Sequence, residues 1–152
     1  MVNKNMAETK MFEFEFPVER GKIKEFAKAI CDPNPIYRDR EYARKIGFKD
    51  VLMPVTFPMS LAHHAESENV ALEVVKRLGL DPAKTVQGDC EIVFQRPICA
   101  GECLRCEIHI GNIHQKEGKR GGMMTFVEVM DTFYDAENCP VVVMRIQIIE
   151  RG

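Results

Sequence analysis

Hydrophobic residues repeat with a helical period in the first half of this chain and with a period of two in the second half. Ahead of both, Phe12, Phe14 and Phe16 alternate with glutamates, which predicts a short half-buried strand that ends at Pro17. The first helical stretch is amphipathic, and its buried face is predicted to consist of Ile23, Phe26, Ala27 and Ile30. Two prolines within residues 32–35 end that helix.

Two more amphipathic helices are predicted from the same spacing. The first is short, with Asp39 as its N-cap and Gly47 as its stop. Its buried side chains are expected to be Tyr42, Ala43 and Ile46. The second adds a helical turn or two at residues 71–78 and ends at Gly79.

The most apolar helical segment lies between these two. It is predicted to begin beyond Pro54, with Thr56 as its N-cap. Residues 57–65 are nonpolar around much of the helical circumference. Such a segment is typical of a helix that protein surrounds on most sides.

From Val86 onward the apolar residues alternate with polar ones, which indicates strands. The long strand candidates are residues 104–110, 125–134 and 141–149. Polar turns containing glycine or proline, at residues 116–122 and 135–140, would link antiparallel neighbours. One strand, several helices and then about four long strands predict an α+β chain, with a curved antiparallel sheet covering the apolar helix.

The composition fits one globular domain without metals or disulfides. The chain has 152 residues, 45% of them hydrophobic, and a net charge of −2, which argues against nucleic acid as a partner. No apolar run reaches the roughly 20 residues of a membrane helix, and residues 1–10 lack the apolar core of a signal peptide. We therefore expect residues 1–10 to form a flexible tail, residues 11–152 to form the domain, and the protein to be cytoplasmic, with no membrane partner.

Six cysteines raise the question of a metal site. Cys103 and Cys106 have the CxxC spacing that zinc ligand pairs often use. Three residues apart in an alternating strand, they should point to opposite faces, and no second ligand pair follows. The sequence therefore favours reduced thiols that act as small buried hydrophobic residues, and neither a metal nor another cofactor is expected.

Three segments, in this order and spacing, resemble the N-terminal branch of the MaoC-like dehydratases: "VERGKIKEFAKAICDPNPIYRDREYARKIGF", "MPVTF" and "QGDCEIVFQRPICAGECL". The resemblance runs from about Phe12 to the end of the chain. It is strongest to the A subunit of the heterodimeric (3R)-hydroxyacyl-thioester dehydratases. It implies a hotdog fold, in which the sheet wraps around a central helix, and a homodimer or heterodimer with another MaoC-like hotdog subunit.

Active members of that family carry the signature G-D-x-N-P-x-H after the first helix. Its Asp and His move protons as water adds to a 2-enoyl thioester or leaves a 3-hydroxyacyl thioester, and a carboxylate–imidazole pair can do so near neutral pH. The resemblance implies catalytic positions at Asp32, Asn34 and Tyr37, with Cys31 in place of Gly and Tyr37 in place of His. Because the pKa of a tyrosine phenol is about 10, tyrosine is a poor base at pH 7. The substitution favours a non-catalytic subunit.

Substrate-binding candidates cluster around the start of the apolar helix. In hotdog enzymes that end often polarises the thioester carbonyl, and free N–H groups beside Thr56 suit that role, with a simple helix cap as the alternative. The residues implied to line the acyl pocket are Pro54, Thr56, Phe57, Met59, Ser60 and His63, and core packing is the alternative for most of them. His63 and His64 diverge by about 100° on a helix, so only one of them can take the place of the missing imidazole.

These observations favour a subunit of a 2-enoyl/(3R)-3-hydroxyacyl-thioester hydratase-dehydratase. The chain would shape the pocket for an acyl-CoA or acyl-carrier-protein thioester, and a partner subunit would supply the proton transfers. One alternative is a self-sufficient homodimeric enoyl-CoA hydratase that uses Asp32. Another is a thioester-binding hotdog with no catalytic activity.

Overall fold

Five strands form one antiparallel sheet in the computed structural model, which describes residues 2–66, 69–118 and 122–152. They are β1 (Lys10–Pro17), β2 (Thr85–Phe94), β3 (Cys103–Glu117), β4 (Met123–Tyr134) and β5 (Pro140–Glu150). The order across the sheet is β1-β3-β4-β5-β2, so β1 and β2 are its edges. The long strands predicted from the alternation are thereby confirmed, although part of the predicted turn at 116–122 lies outside the described residues.

The helical segments are short and lie ahead of β2. The α-helices are α1 (Arg20–Ala29), α2 (Arg40–Lys45) and α3 (Val70–Arg77). Turns of 3-10 helix occupy Lys4–Met6, Pro35–Tyr37 and Phe57–His63. The three α-helices match three predicted helices, whereas the most apolar segment is a 3-10 helix.

The hydrophobic core lies between the inner face of the sheet and these helical segments. On β3 the alternate residues from Leu104 to Ile110 are all buried. The same hydrophobic cluster includes Ile23 of α1, Phe57 of the apolar 3-10 helix and Val74 of α3. This arrangement confirms the predicted α+β hotdog fold.

The apolar 3-10 helix departs from α-helical geometry for local reasons. Its N–H groups donate to carbonyls three residues back, as the Met59 amide does to the Thr56 carbonyl at 3.0 Å. The Ser60 hydroxyl also donates to the Phe57 carbonyl at 2.7 Å, and Pro58 has no N–H to donate. Thr56 occupies the predicted N-cap position, but it has helical backbone angles and its side chain makes no capping hydrogen bond.

The second helix buries less than the spacing predicts. Tyr42 and Ile46 are 40% and 46% exposed, and Ala43 alone of the three predicted residues is buried. Because α2 has only six residues, it packs against the domain through one position, and the larger side chains lie at the surface.

The N-terminal segment predicted as a flexible tail packs against the domain over residues 2–9. Val2 is buried with the core. The Asn3 amide donates to the Leu78 carbonyl, beyond the end of α3, at 2.8 Å. This segment therefore covers the end of α3 before β1 begins.

One buried carboxylate connects α1 to α2. Both oxygens of Asp50 accept from Arg20 at the start of α1, at 2.9 and 2.7 Å, and Arg40 at the start of α2 lies 2.9 Å from Oδ2. Asp50 also accepts from the Val51 amide at 2.8 Å. The hydrogen bonds from Arg20 are the main reason that the pKa of Asp50 falls to about 2. Because Arg40 directly follows the loop of residues 30–39, this cluster fixes the end of that loop at α2 relative to the start of α1.

We expect Asp50→Asn to destabilise the protein by about 1–2 kcal/mol at pH 7, because it removes the charge that two arginines share. The folded-state pKa is below the value of the unfolded chain, so the contribution is present above about pH 4 and is lost as the pH falls toward 2. Urea unfolding of both proteins at pH 7 and pH 2.5 measures this difference. Glu25→Gln, which breaks the exposed pair with Lys22, is the matched control. A loss for Asp50→Asn that is equally large at pH 2.5 would contradict the assignment.

Candidate functional site

The loop between α1 and α2 begins with a residue in the left-handed region. Cys31 has φ of 57°, and the next amide, that of Asp32, donates back to the Ala27 carbonyl at 2.9 Å. This is the common way in which a helix ends, and glycine is the usual residue at such a position because it has no Cβ. Cys31 stands where the family signature has Gly, and the backbone keeps the conformation that glycine favours.

Two side chains of the signature stabilise the loop itself. Oδ1 of Asp32 accepts from the Asn34 amide at 2.9 Å, and Oδ1 of Asn34 accepts from the Ile36 amide at 3.1 Å. Arg38 donates to the carbonyl of Asp32 at 2.9 Å. The side-chain oxygens of Asp32 and Asn34 therefore accept from backbone amides just before and within the turn Pro35–Tyr37.

Tyr37 lies at the end of this turn and packs against the core, half-buried. Burial raises the pKa of its phenol above the ordinary value, and the negative charge of Asp32 raises it further. Asp32 and Tyr37 therefore interact, but the phenol stays protonated at neutral pH. The pair can donate and accept hydrogen bonds, and it lacks the proton-exchanging imidazole.

The predicted substrate residues of the apolar 3-10 helix have different environments. Pro54 and Phe57 are buried, and the hydroxyl of Ser60 bonds to the backbone. Thr56 and His63 are exposed. Met59 is 40% exposed, and its sulfur lies 3.8 Å from Sγ of Cys90 on the edge strand β2.

A cluster of aromatic rings packs the 3-10 helix against α1 and β1. The Phe57 ring lies edge-on to Phe26 of α1, with 5.2 Å between centroids, and edge-on to Phe16 of β1, at 5.7 Å. His64 lies 4.3 Å from the Phe16 ring, and burial lowers the pKa of its imidazole. Of the two adjacent histidines, His64 is thus the one that packs against the protein, as a neutral ring.

A cavity of about 230 Å³ lies between the sheet and the segments Phe57–His63 and α3. It is lined by Met59, Leu61, Ala62, Val70, Ala71, Val74, Val75, Thr85, Val86, Gln87, Ile108, Val129, Asp131, Met144, Ile146 and Ile148. Among the predicted site residues, Met59 alone belongs to this lining. Asp32, Asn34 and Tyr37 do not line it, so the described part of a single chain does not join the signature loop to the cavity.

Asp131 lines this cavity and was not among the residues predicted from the sequence. It stands on the inner face of β4, only 2% exposed, with Ile108 and Met144 as its cross-strand neighbours. Within the described residues its Oδ1 has no hydrogen-bond partner. Burial raises the pKa of this carboxyl to about 7. The signal was visible in the sequence, because the inward series Thr125, Val127, Val129, Asp131 and Phe133 contains one acidic residue.

Cys103 and Cys106 differ in burial as the alternation predicts, but the expectation of small buried thiols is wrong for Cys103. Cys106 is buried, which raises the pKa of its thiol, and Cys103 is exposed. Within residues 2–66, 69–118 and 122–152 no cluster of metal-ligating side chains occurs. No helix in the same ranges is long and apolar enough to cross a membrane.

Comparisons with known proteins give the family. A family model described as the FAS1-like dehydratase domain region matches residues 8–144. A UPF0336 protein of Saccharopolyspora erythraea is 35% identical over 137 residues, which are 90% of this chain and 83% of that protein. A UPF0336 protein of Thermobifida fusca is 39% identical over 103 residues, which are 68% of this chain and 66%, just under two thirds, of that protein. The chain therefore belongs to the family of the FAS1-like dehydratase domain region.

Solved structures share its fold. The HadBC complex of Mycobacterium tuberculosis, a 3R-hydroxyacyl-ACP dehydratase, superposes with a TM-score of 0.73 at 22% identity, over 94% of this chain and 97% of that chain. A MaoC-like dehydratase superposes with a TM-score of 0.78 at 21% identity, over 97% of this chain but only 42% of that chain. The fold is therefore that of a dehydratase-type hotdog domain.

The buried carboxyl of Asp131 should make stability fall as the pH rises. In the folded protein it stays protonated up to about pH 7, whereas in the unfolded chain it ionises near its usual pKa, so stability declines between about pH 4 and pH 7. The nearby thiols of Cys90 and Cys106 have raised pKa values and stay neutral in this window. We expect the free energy of unfolding of the wild type to fall by about 2–4 kcal/mol over this range and that of Asp131→Val to lack this decline.

Chemical unfolding of the wild type and of Asp131→Val across pH 4 to 8 measures that decline as the difference between the two proteins. The difference removes the opposing contribution of His64, whose pKa is lowered by burial and which both proteins share. A difference that stays constant across this range would mean that Asp131 does not change its protonation on folding.

Proposed function

We propose that this chain is the substrate-binding subunit of a 2-enoyl/(3R)-3-hydroxyacyl-thioester hydratase-dehydratase. In this proposal a second MaoC-like subunit carries the Asp and His that transfer the protons. The observation that carries it is the signature loop, which keeps the Asp but has a neutral, half-buried phenol where an imidazole is needed.

The chemistry of the reaction supports assigning substrate binding to this chain and proton transfer to a partner. Adding water across the conjugated double bond needs a base for the oxygen and an acid for the α-carbon. Tyr37 cannot serve as the base near pH 7, because burial and Asp32 both raise the pKa of its phenol. His64 packs on Phe16 with a lowered pKa, and His63 points into solvent, so no alternative imidazole is paired with Asp32 among the described contacts.

The cavity supports a role in binding the acyl group. Its lining is largely aliphatic, which suits an acyl chain. It reaches the sheet edge at Thr85, Val86 and Gln87 of β2, next to Met59. A thioester whose acyl group occupied this cavity would extend toward a subunit docked along β2.

The two edges of the sheet differ in a way that favours β2 as the docking edge. β1 carries Lys10 and ends in Pro17, which are residues that discourage pairing with another strand. The ten residues of β2 include no Lys, Arg or Pro, and Val86 and Val93 are 38% and 39% exposed. A second hotdog added along β2 would satisfy this edge and cover Met59.

We expect the purified chain alone to hydrate crotonyl-CoA at the uncatalysed rate. Mixed with a MaoC-like protein that has an intact G-D-x-N-P-x-H signature and is encoded beside it, the chain should give turnover. Replacing the His of that partner signature should lower the rate by about 10²–10⁴-fold, because the remaining groups cannot exchange the proton. Loss of absorbance of the conjugated enoyl thioester measures the rate.

The alternatives give different results in the same assay. Turnover by this chain alone that is lost in Asp32→Asn would replace the proposal with a self-sufficient hydratase. Binding of crotonyl-CoA without turnover in the mixture would replace it with a thioester-binding role.

A further inference from the structure

Asp131 is placed where a sheet of this kind normally has an aliphatic residue. Its neighbours across the sheet, Ile108 and Met144, are both buried, and it is the one ionisable residue among the described residues that line the cavity. Placing an unpaired carboxyl there is unfavourable, and an aliphatic side chain would be more stable at the same position. A buried polar group without a partner needs an explanation, and a ligand that completes its hydrogen bonding is one.

We propose that the cavity binds an acyl group that carries a second hydroxyl, beyond the one at C3 that reacts, and that Asp131 is the residue that recognises this second hydroxyl. The inference rests on the proposed function for the acyl thioester. It adds the class of acyl group. It assigns Asp131 to substrate specificity and leaves the proton transfers to the signature residues of the partner.

The chemistry of the lining selects a hydroxyl over other polar groups. Oδ1 of Asp131 is an acceptor with no donor. A hydroxyl can donate to the carboxyl and also accept from it when it is protonated, whereas a ketone can only accept. An ammonium group has three donors, and apart from Asp131 the polar residues lining the cavity are Thr85 and Gln87 of β2 among those described. A hydroxyl needs one acceptor and stays neutral, so it enters an aliphatic cavity at a smaller desolvation penalty.

Size and polarity support a substrate group over an ordered water. A buried water makes roughly two to four hydrogen bonds, whereas the cross-strand neighbours of Asp131 are the apolar side chains of Ile108 and Met144. The volume of about 230 Å³ is below the range of roughly 300–1,000 Å³ for sites that enclose a whole drug-sized ligand. The cavity therefore suits a few carbons of an acyl group with one hydroxyl.

The test uses two ring compounds of similar shape, cyclohexanol and methylcyclohexane, that need no thioester to enter the cavity. Their affinities are measured from the methyl NMR signals of Ile108 and Met144 in the wild type, in Asp131→Val and in Asp131→Asn. We expect the affinity ratio of alcohol to hydrocarbon to fall about tenfold in Asp131→Val, which is about 1.4 kcal/mol. In Asp131→Asn, which keeps a carbonyl acceptor, the ratio should stay within about threefold of the wild type.

A ratio that Asp131→Val leaves unchanged, or the absence of a saturable shift with either compound, would overturn the inference. A second arm titrates hexanoyl-CoA and 6-hydroxyhexanoyl-CoA into the complex with the partner subunit, where Asp131→Val should weaken only the hydroxylated thioester. If the ring compounds respond as expected and neither thioester binds, the proposed function fails and hydroxyl recognition by the cavity stands. If crotonyl-CoA is hydrated but Asp131→Val leaves the affinity ratio of the ring compounds unchanged, this inference fails and the proposed function stands.

Discussion

The inner face of the sheet must be covered by helical segments that are all short, and this constraint shapes both the fold and the site. A long central helix would fill the space over β3, β4 and β5. Here the cover is divided between the 3-10 helix Phe57–His63 and α3. Because neither segment fills that space completely, a cavity remains between them and the sheet, and it reaches the edge at β2.

The signature loop is held separately from that cavity. The hydrogen bonds of Asp50 with Arg20 and its ion pair with Arg40 fix the starts of α1 and α2, and the Asp and Asn side chains of the loop between them bond to the loop's own backbone. The separation of loop and cavity within one chain is the reason to expect a site that two subunits complete.

The sequence predicted most of the sheet because side chains alternate between faces with a period of two. The same alternation correctly separated Cys103 from Cys106. It did not predict that the apolar segment is a 3-10 helix, because hydrophobicity does not reveal that Ser60 bonds to the nearby Phe57 carbonyl. Burial of Tyr42 was also overestimated, since helical spacing cannot tell how little of a six-residue helix meets the core.

Long-range features were the hardest to predict. Asp50 bonds to Arg20, thirty residues away in the sequence, and no local pattern predicts that contact. Asp131 differs, because an acidic residue at an inward position was already readable from the strand, and only its cavity and its missing partner needed coordinates.

The central claim is that this subunit is completed along β2. Hydrogen exchange of the amides of Thr85–Phe94 tests it most directly, by comparing the isolated chain, diluted until it is monomeric, with the complex. The account predicts that alternate amides of β2, those on its unpaired side, become protected in the complex while β1 does not change. Protection that appears along β1, or that leaves β2 exchanging as fast as before, would contradict it.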